Sequence, residues 1–131
     1  MSLLADLAAI LDPPGLLTAV DDIAPYLSDP ITRTEGSAAA VVRPADTAAV
    51  AAVVDCAARH GASVTPRGGG SGFVGGAVPG PDRPALVLSL ERMRAIRALD
   101  TVDETMVAEA GVPLAAARAA AEEVGLTLPV V

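Results

Sequence analysis

Six glycines lie within nine residues in the middle of this chain, between Gly68 and Gly76. Glycine has no Cβ, so it can adopt positive φ and lets a ligand come close to the backbone. Successive amide N–H groups in such a stretch can curl around an anion. Arg67 could add a positive charge at the entrance of the loop, and Ser71 could donate its hydroxyl to phosphate oxygens. The loop therefore predicts a binding site for a diphosphate.

A flexible surface loop is the simplest alternative explanation of these glycines. It is disfavoured because ordering many glycines costs backbone entropy, and because well-patterned elements flank the loop on both sides. A Rossmann fold is a second alternative, since Gly70, Gly72 and Gly75 have the GxGxxG spacing. That fold needs a helix that begins inside the motif, whereas the proline-rich stretch 78–81 follows here.

Two further motif matches also fail at single positions. A Walker A loop requires Lys and then Ser or Thr after its last glycine, but Ala77 and Val78 follow Gly76. A nucleophile elbow requires GxSxG around Ser71, but Phe73 takes the place of the second glycine. The sequence therefore predicts neither nucleotide hydrolysis nor acyl transfer.

The elements before the loop follow a strand–helix–strand pattern. The apolar runs Ala38 to Arg43 and Ala62 to Pro66 predict two buried strands. Between them, Asp46 suits the N-cap of a helix that ends at Gly61. Its apolar stripe comprises Val50, Val53, Val54, Ala57 and Ala58. The connection is long enough for a parallel crossover.

After the loop, the sequence predicts three more strands and a helix. The strand candidates are Ala85 to Leu90, Ala95 to Leu99 and Thr105 to Ala110. A helix begins at Pro113, carries Leu114, Ala117, Ala121 and Val124 inward, and stops at Gly125. The predicted fold class is α/β, a small parallel sheet flanked by helices.

The first 36 residues differ from the rest, because several prolines and a glycine break them into short helices. We expect residues 1–36 to form an N-terminal helical lead-in and residues 37–131 to form the N-terminal portion of a larger binding domain. A chain of 131 residues fits one domain with one core.

Composition narrows the choice of partners. The formal net charge of −7 disfavours nucleic acid and anionic membrane surfaces. No segment approaches the roughly 20 apolar residues of a membrane span. Cys56 is the only cysteine, which excludes an intrachain disulfide and suits a reducing cytoplasm. His60, near a helix end, predicts a structural role, and no second metal ligand is expected nearby.

Four linked motifs then resemble the FAD-linked oxidases and dehydrogenases of the vanillyl-alcohol oxidase type, in particular the branch that oxidises D-lactate, glycolate and D-2-hydroxyglutarate. They are the segments 41–44, 66–72 together with 75–79, 88–93 and 107–112. The resemblance implies FAD and places its pyrophosphate on Arg67, Gly68, Gly69, Gly70, Ser71, Gly72, Gly75, Gly76 and Ala77. Some relatives attach the flavin through a histidine where this chain has Ser71, so the resemblance implies noncovalent FAD.

The resemblance also implies a function, oxidation of a 2-hydroxy acid by hydride transfer to FAD. Enzymes of this family continue beyond the position of Pro129, and their substrate-binding and acid–base groups lie there. We therefore expect this chain to be inactive alone and assign no residue as catalytic. A sugar, an alcohol or a peptidoglycan precursor is an alternative substrate. A stand-alone nucleotide-binding or interaction module, completed by a partner chain or a second copy, is the alternative function.

Overall fold

A computed structural model describes residues 1–31, 35–81 and 83–130. The helices are α1 (Leu3–Ile10), α2 (Val20–Ile23), α3 (Thr47–Arg59) and α4 (Leu114–Glu123), with 3₁₀ turns at Pro13–Gly15 and Ala24–Tyr26. The strands are β1 (Leu16–Leu17), β2 (Ala40–Val42), β3 (Ser63–Arg67), β4 (Ala85–Ser89), β5 (Ile96–Asp100) and β6 (Thr105–Ala108). The longest of these helices, α3, has 13 residues, and no helix in the described ranges combines the length and apolarity that a membrane crossing requires.

Four strands form one sheet in the order β1-β2-β4-β3. Strand β4 pairs in parallel with β2 on one side and with β3 on the other, while β1 pairs antiparallel with β2. The predicted α/β class and the parallel crossover from β2 through α3 to β3 are confirmed. The two crossover strands are not neighbours, however, because β4 lies between them.

The last two strands do not join this sheet. Strands β5 and β6 form an antiparallel hairpin of their own, with a register shift between Ile96 and Ala98. The Asp100 carboxylate closes the turn by accepting hydrogen bonds from the amides of Val102 and Asp103, at 2.8 and 3.0 Å. Both predicted strands are confirmed, and their separation from the main sheet is a finding that alternation alone does not predict.

The core lies on both faces of β4, all of whose residues are buried. On one face, Leu86 and Leu88 pack in a cluster with Leu7 of α1 and with Val53 of α3. On the other face, Val87 packs with residues that include Ile23. The N-terminal segment therefore contributes to the same core as the sheet. Its short helices are confirmed, whereas its strand β1 was not predicted.

Helix α3 begins as predicted, because the Asp46 carboxylate accepts a hydrogen bond from the amide of Ala49 at 2.8 Å. Its buried residues are Val53, Cys56 and Ala57. The predicted inward positions of Val54 and Ala58 are wrong, since both side chains are exposed. The buried stripe of α3 is therefore narrower than the predicted apolar stripe.

Helix α4 follows the prediction at its ends and in half of its apolar face. Pro113 is its N-cap, and Gly125 follows it with φ of 76°, a conformation that favours glycine. Ala117 and Ala121 are buried, as predicted. Leu114 and Val124 are 40% and 44% exposed, so the prediction that they face inward is wrong.

Candidate functional site

A cleft of about 640 Å³ lies where β3 and β4 end. Open sheets with parallel strands commonly bind ligands beyond the carboxyl ends of those strands, and the volume falls within the range of ligand sites. Four segments line the cleft: Pro25 and Tyr26, then Arg67, Gly68, Gly69 and Ser71, then Glu91 and Arg94, and finally Ala110 to Leu114.

The glycine loop forms one wall of the cleft as irregular backbone. The described residues between β3 and β4 contain no helix, which agrees with the rejection of the Rossmann motif. A Cβ added at Gly68 would meet no atom within 4 Å, and one at Gly69 would meet only the Ser71 hydroxyl, at 4.0 Å. These two glycines therefore leave room for a ligand directly against the backbone.

The predicted cofactor residues divide into two groups. Arg67, Gly68, Gly69 and Ser71 line the cleft. The other five are not among its lining residues: Gly70, Gly72, Gly75, Gly76 and Ala77. Within this second group Gly70 and Gly75 have φ of 67° and 74°, so they shape the turn of the loop through a conformation that side chains disfavour.

Arg67 holds the loop through its guanidinium. Nη1 donates to the carbonyl oxygens of Tyr26, Ser28 and Ala77 at 3.3, 3.1 and 3.4 Å. The group also lies against Gly70, where an added Cβ would stand 2.4 Å from Nη2. Its hydrogen bonds thus tie the loop to the N-terminal segment, while its positive charge remains at the cleft wall.

Glu91 lies at the centre of a polar network that also lines the cleft. Its Oε1 accepts a hydrogen bond from the Tyr26 hydroxyl at 2.8 Å and pairs with Arg43 Nη1 at 3.0 Å. Burial raises the pKa of Glu91, but the hydrogen bonds from Tyr26 and Arg43 outweigh it and hold that pKa below its usual value. Burial, together with the bond to Glu91, raises the pKa of the Tyr26 hydroxyl. The Glu91 carboxylate is therefore ionised at neutral pH, and its contacts with Tyr26 and Arg43 hold it in place.

The segment from Ala110 to Leu114 also lines the cleft, and it contains a close backbone contact at Gly111 and the start of helix α4. Gly111 donates its amide to the Met93 carbonyl at 2.9 Å, and a Cβ on Gly111 would lie 1.8 Å from the Leu90 carbonyl oxygen. Helix α4 begins three residues later with no side-chain hydrogen bond at its N-cap, Pro113. The N-terminus of a helix carries a partial positive charge that favours anions.

The cleft thus suits a ligand that carries phosphate groups. Open glycine backbone, a helix N-terminus and the cations of Arg67 and Arg94 lie around one space. Sequence reasoning about the glycine loop missed Tyr26, Glu91 and Arg94, since their contribution depends on contacts between distant segments. The available signal was the family motif 88–93, which contains Glu91.

A second group of polar side chains lies elsewhere, between α1 and α3. His60 Nε2 lies 2.7 Å from Asp6 Oδ2, and Cys56 joins them in a group whose ligand atoms lie within 4.8 Å of one another. The expectation that no other metal-ligand candidate lies near His60 is therefore wrong. Cys56 precedes His60 by four residues, a spacing that places both on one face of α3. Asp6 reaches His60 only through the packing of α1 against α3, which single-helix spacing does not reveal.

Comparison with protein families identifies one profile that matches most of the chain. The profile described as "FAD binding domain" matches residues 38–131. D-2-hydroxyglutarate dehydrogenase of Xanthomonas citri pv. viticola is 38% identical over 115 residues, 88% of this chain and 24% of that protein. The mitochondrial D-2-hydroxyglutarate dehydrogenase of Bos taurus is 30% identical over 95% of this chain and 23% of its own length. The chain thus spans about a quarter of these relatives.

Solved structures of similar fold have lower sequence identity. Alkyldihydroxyacetonephosphate synthase matches 96% of this chain with a TM-score of 0.87 at 19% identity, over 25% of its own chain. p-Cresol methylhydroxylase matches 95% of this chain with a TM-score of 0.77 at 23% identity, over 24% of its own chain. These likenesses confirm the fold that the resemblance implied.

Proposed function

The chain belongs to the FAD-binding domain family, and from that premise we propose that its cleft holds FAD noncovalently, with the pyrophosphate against Gly68, Gly69 and Ser71. The open space in front of the first two glycines carries the proposal, because a diphosphate needs backbone amides that no side chain covers. Ser71 is a hydroxyl donor and does not form the histidine–flavin bond found in some relatives.

The residues of the chain bind and orient the cofactor in this proposal. Arg67 fixes the loop to the N-terminal segment and supplies positive charge, and the N-terminus of α4 supplies more. The Glu91–Arg43–Tyr26 network holds the N-terminal segment against the segment that follows β4. FAD supplies the redox chemistry by accepting a hydride, whereas the protein supplies binding, orientation and electrostatics.

We propose that the corresponding whole enzyme oxidises a 2-hydroxy acid. The support is the name of the relatives, D-2-hydroxyglutarate dehydrogenase, at 38% and 30% identity. D-Lactate and glycolate are the other substrates of this class. Because the chain spans about a quarter of those relatives, we assign the oxidation to the whole enzyme, and we propose that this chain alone binds FAD without turnover.

Titration of the purified protein with FAD, using NAD and ATP as controls, tests the proposal. A ligand that binds only the folded state at 100 times its Kd stabilises that state by about 2.7 kcal/mol. We expect FAD to raise the thermal midpoint and its fluorescence to change on binding, while NAD and ATP leave the midpoint unchanged. A folded protein that FAD does not stabilise would contradict the proposal.

Two matched valine variants locate the binding site. Gly69→Val places a side chain in the open space of the cleft, so we expect a folded protein that has lost FAD binding. Gly80→Val also places its side chain in open space but lies outside the cleft, so FAD binding should persist. Equal loss of FAD affinity in both variants would argue against a pyrophosphate site on the glycine loop.

A further inference from the structure

Three unlike metal-ligating groups converge between α1 and α3. Asp6 lies on α1, Cys56 lies on α3, and His60 follows α3 directly as its C-cap. A ligand atom of each lies within 4.8 Å of the others, with His60 Nε2 and Asp6 Oδ2 only 2.7 Å apart. None of the three lines the cleft that we assign to FAD.

The packing of the two helices explains the convergence. Cys56 and His60 are four residues apart, so they lie on the same face at the end of α3. Leu7 and Leu11 pack α1 in the cluster that contains Cys56 and Val53, and this fixes Asp6 beside that face. The arrangement therefore rests on the buried core and not on exposed side chains.

Burial makes the group a partly enclosed site. The Cys56 residue is 0% exposed, while the side chains of Asp6 and His60 are 17% and 22% exposed. An ion would thus reach the group past Asp6 and His60 and would meet the sulfur at the inner end. Carboxylate oxygen, imidazole nitrogen and thiolate sulfur together form a donor set that zinc accepts, whereas magnesium and calcium prefer oxygen alone.

We propose that Asp6, Cys56 and His60 form a binding site for a divalent cation of the zinc class. Three protein ligands leave a fourth tetrahedral position for water. Bonds of 2.0–2.3 Å in a tetrahedron put ligand atoms roughly 3.5 Å apart. The Asp6–His60 pair must therefore open slightly, a movement within the reach of side-chain rotation, and the Cys56 sulfur already lies within 4.8 Å of both ligand atoms.

The charges around Asp6, Cys56 and His60 allow a cation to replace the contact between Asp6 and Arg59. Arg59 Nη1 lies 3.9 Å from Asp6 Oδ2, but its side chain is 56% exposed and pairs with Asp55 as well, at 3.1 Å. An exposed ion pair of this kind is weak, so Arg59 can turn toward Asp55 when a cation binds. Binding releases the thiol proton and needs the neutral form of His60.

Cobalt(II) is the direct probe, because it enters zinc sites and shows a thiolate-to-metal charge-transfer band in the near ultraviolet. The chelator-treated, reduced 131-residue protein should develop this band with one cobalt per chain, and zinc(II) should remove it by competition. Zinc should also raise the thermal midpoint, because it joins two helices of the folded state only. Absence of the charge-transfer band would overturn the proposal.

Variants assign the ligands. Cys56→Ala should abolish the band, and His60→Gln should weaken cobalt binding by at least the roughly 10- to 100-fold that losing a supporting group around a metal costs. Glu122→Gln is the control, because its carboxylate is exposed on α4 and lies outside the group. His60→Gln alters a partly exposed side chain, so its cobalt affinity still tests the proposed site if Cys56→Ala unfolds. Unchanged affinity in His60→Gln would overturn the site.

Discussion

Among the glycines, Gly111 has the closest approach of another segment, because its missing Cβ would lie 1.8 Å from the Leu90 carbonyl oxygen. We expect Gly111→Ala to force the two segments apart and to lower the free energy of unfolding by about 1–3 kcal/mol, the usual cost of overpacking. Urea denaturation measures this loss. The control Gly80→Ala meets open space and should stay within about 0.5 kcal/mol of the parent. Equal effects of the two changes would show that the close approach is not tight.

Glu91 gives the protein a pH dependence of known sign. Its pKa in the folded state lies below the ordinary value of 4.5, so its ionised form stabilises the folded state. That contribution is complete above the unfolded pKa and is lost as the pH falls through the lower folded value. In Glu91→Gln, we therefore expect the free energy of unfolding to fall less steeply with acid below about pH 4.5.

Denaturation at a series of pH values measures that slope. The control is Glu123→Gln, an exposed carboxyl at the end of α4, which should keep the slope of the parent. If Glu91→Gln and the parent lose stability in parallel between neutral pH and pH 3, ionised Glu91 does not stabilise the fold.

Residue roles were predictable from sequence where the cause is local. The N-cap Asp46 and the helix-ending glycine Gly125 depend only on neighbours in the chain, and both are confirmed. Arg67 is different, because it donates to carbonyls of residues about forty positions away, and no spacing rule reveals those partners. Its predicted contact with phosphate stays a prediction.

At the scale of elements, α1 is the segment whose contribution sequence reasoning underestimated. Leu7 is fully buried in the cluster that includes Val53 of α3 and Leu86 of β4. A short amphipathic helix suggests only a lead-in when its partners are unknown, but here its buried leucines join the core cluster on one face of the sheet. The predicted domain boundary at residue 36 stays a prediction. Residues on both sides of it contribute to the same core.

Leu7→Ala tests how strongly α1 is docked. Removing a fully buried leucine leaves a cavity and should cost about 2–5 kcal/mol in the free energy of unfolding. Leu4→Ala is the matched control on the same helix, where the side chain is 39% exposed, and should cost much less. Chemical denaturation compares the two. A cost below 1 kcal/mol for Leu7→Ala would mean that α1 contributes little to the core.

Most elements were predictable because their apolar runs and breakers are clear in the sequence. All five strands predicted from the apolar patterns are confirmed with small shifts at their ends. Strand β1 was missed because two residues carry no periodicity. The exposed residues Val54 and Leu114 were assigned to buried helix faces for a related reason. The spacing along a helix shows which residues are apolar, but not how much of the helix surface its neighbours cover.

For the whole molecule, the ordered motifs predicted the fold better than any single pattern did. The resemblance to FAD-linked oxidases is confirmed by the matching profile, and the fold is confirmed by the TM-score of 0.87. The order of strands in the sheet was not predictable, because it depends on how the long loop after β3 returns the chain. The cytoplasmic location expected from the single cysteine stays a prediction.

Local stability should vary across the molecule with burial. Strand β4 is buried along its whole length and paired on both sides, whereas the β5–β6 hairpin is largely exposed. We expect amide hydrogen exchange to be slowest in β4 and considerably faster in the hairpin, since exposed elements open at low free-energy cost. Exchange followed by mass spectrometry measures both segments in one protein. Equal protection would show that the hairpin and the sheet unfold as one unit.

The position of β4 between β2 and β3 also sets an order on folding during synthesis. Among the described strands, β3 pairs only with β4, which leaves the ribosome later. Until then, β2 and β3 each present unpaired backbone groups to the same gap, and unpaired strand edges invite association with other chains. The glycine loop that joins β3 to β4 therefore also determines how soon that gap is filled. The segment that we propose as the cofactor site thus also affects how long the nascent chain stays open to aggregation.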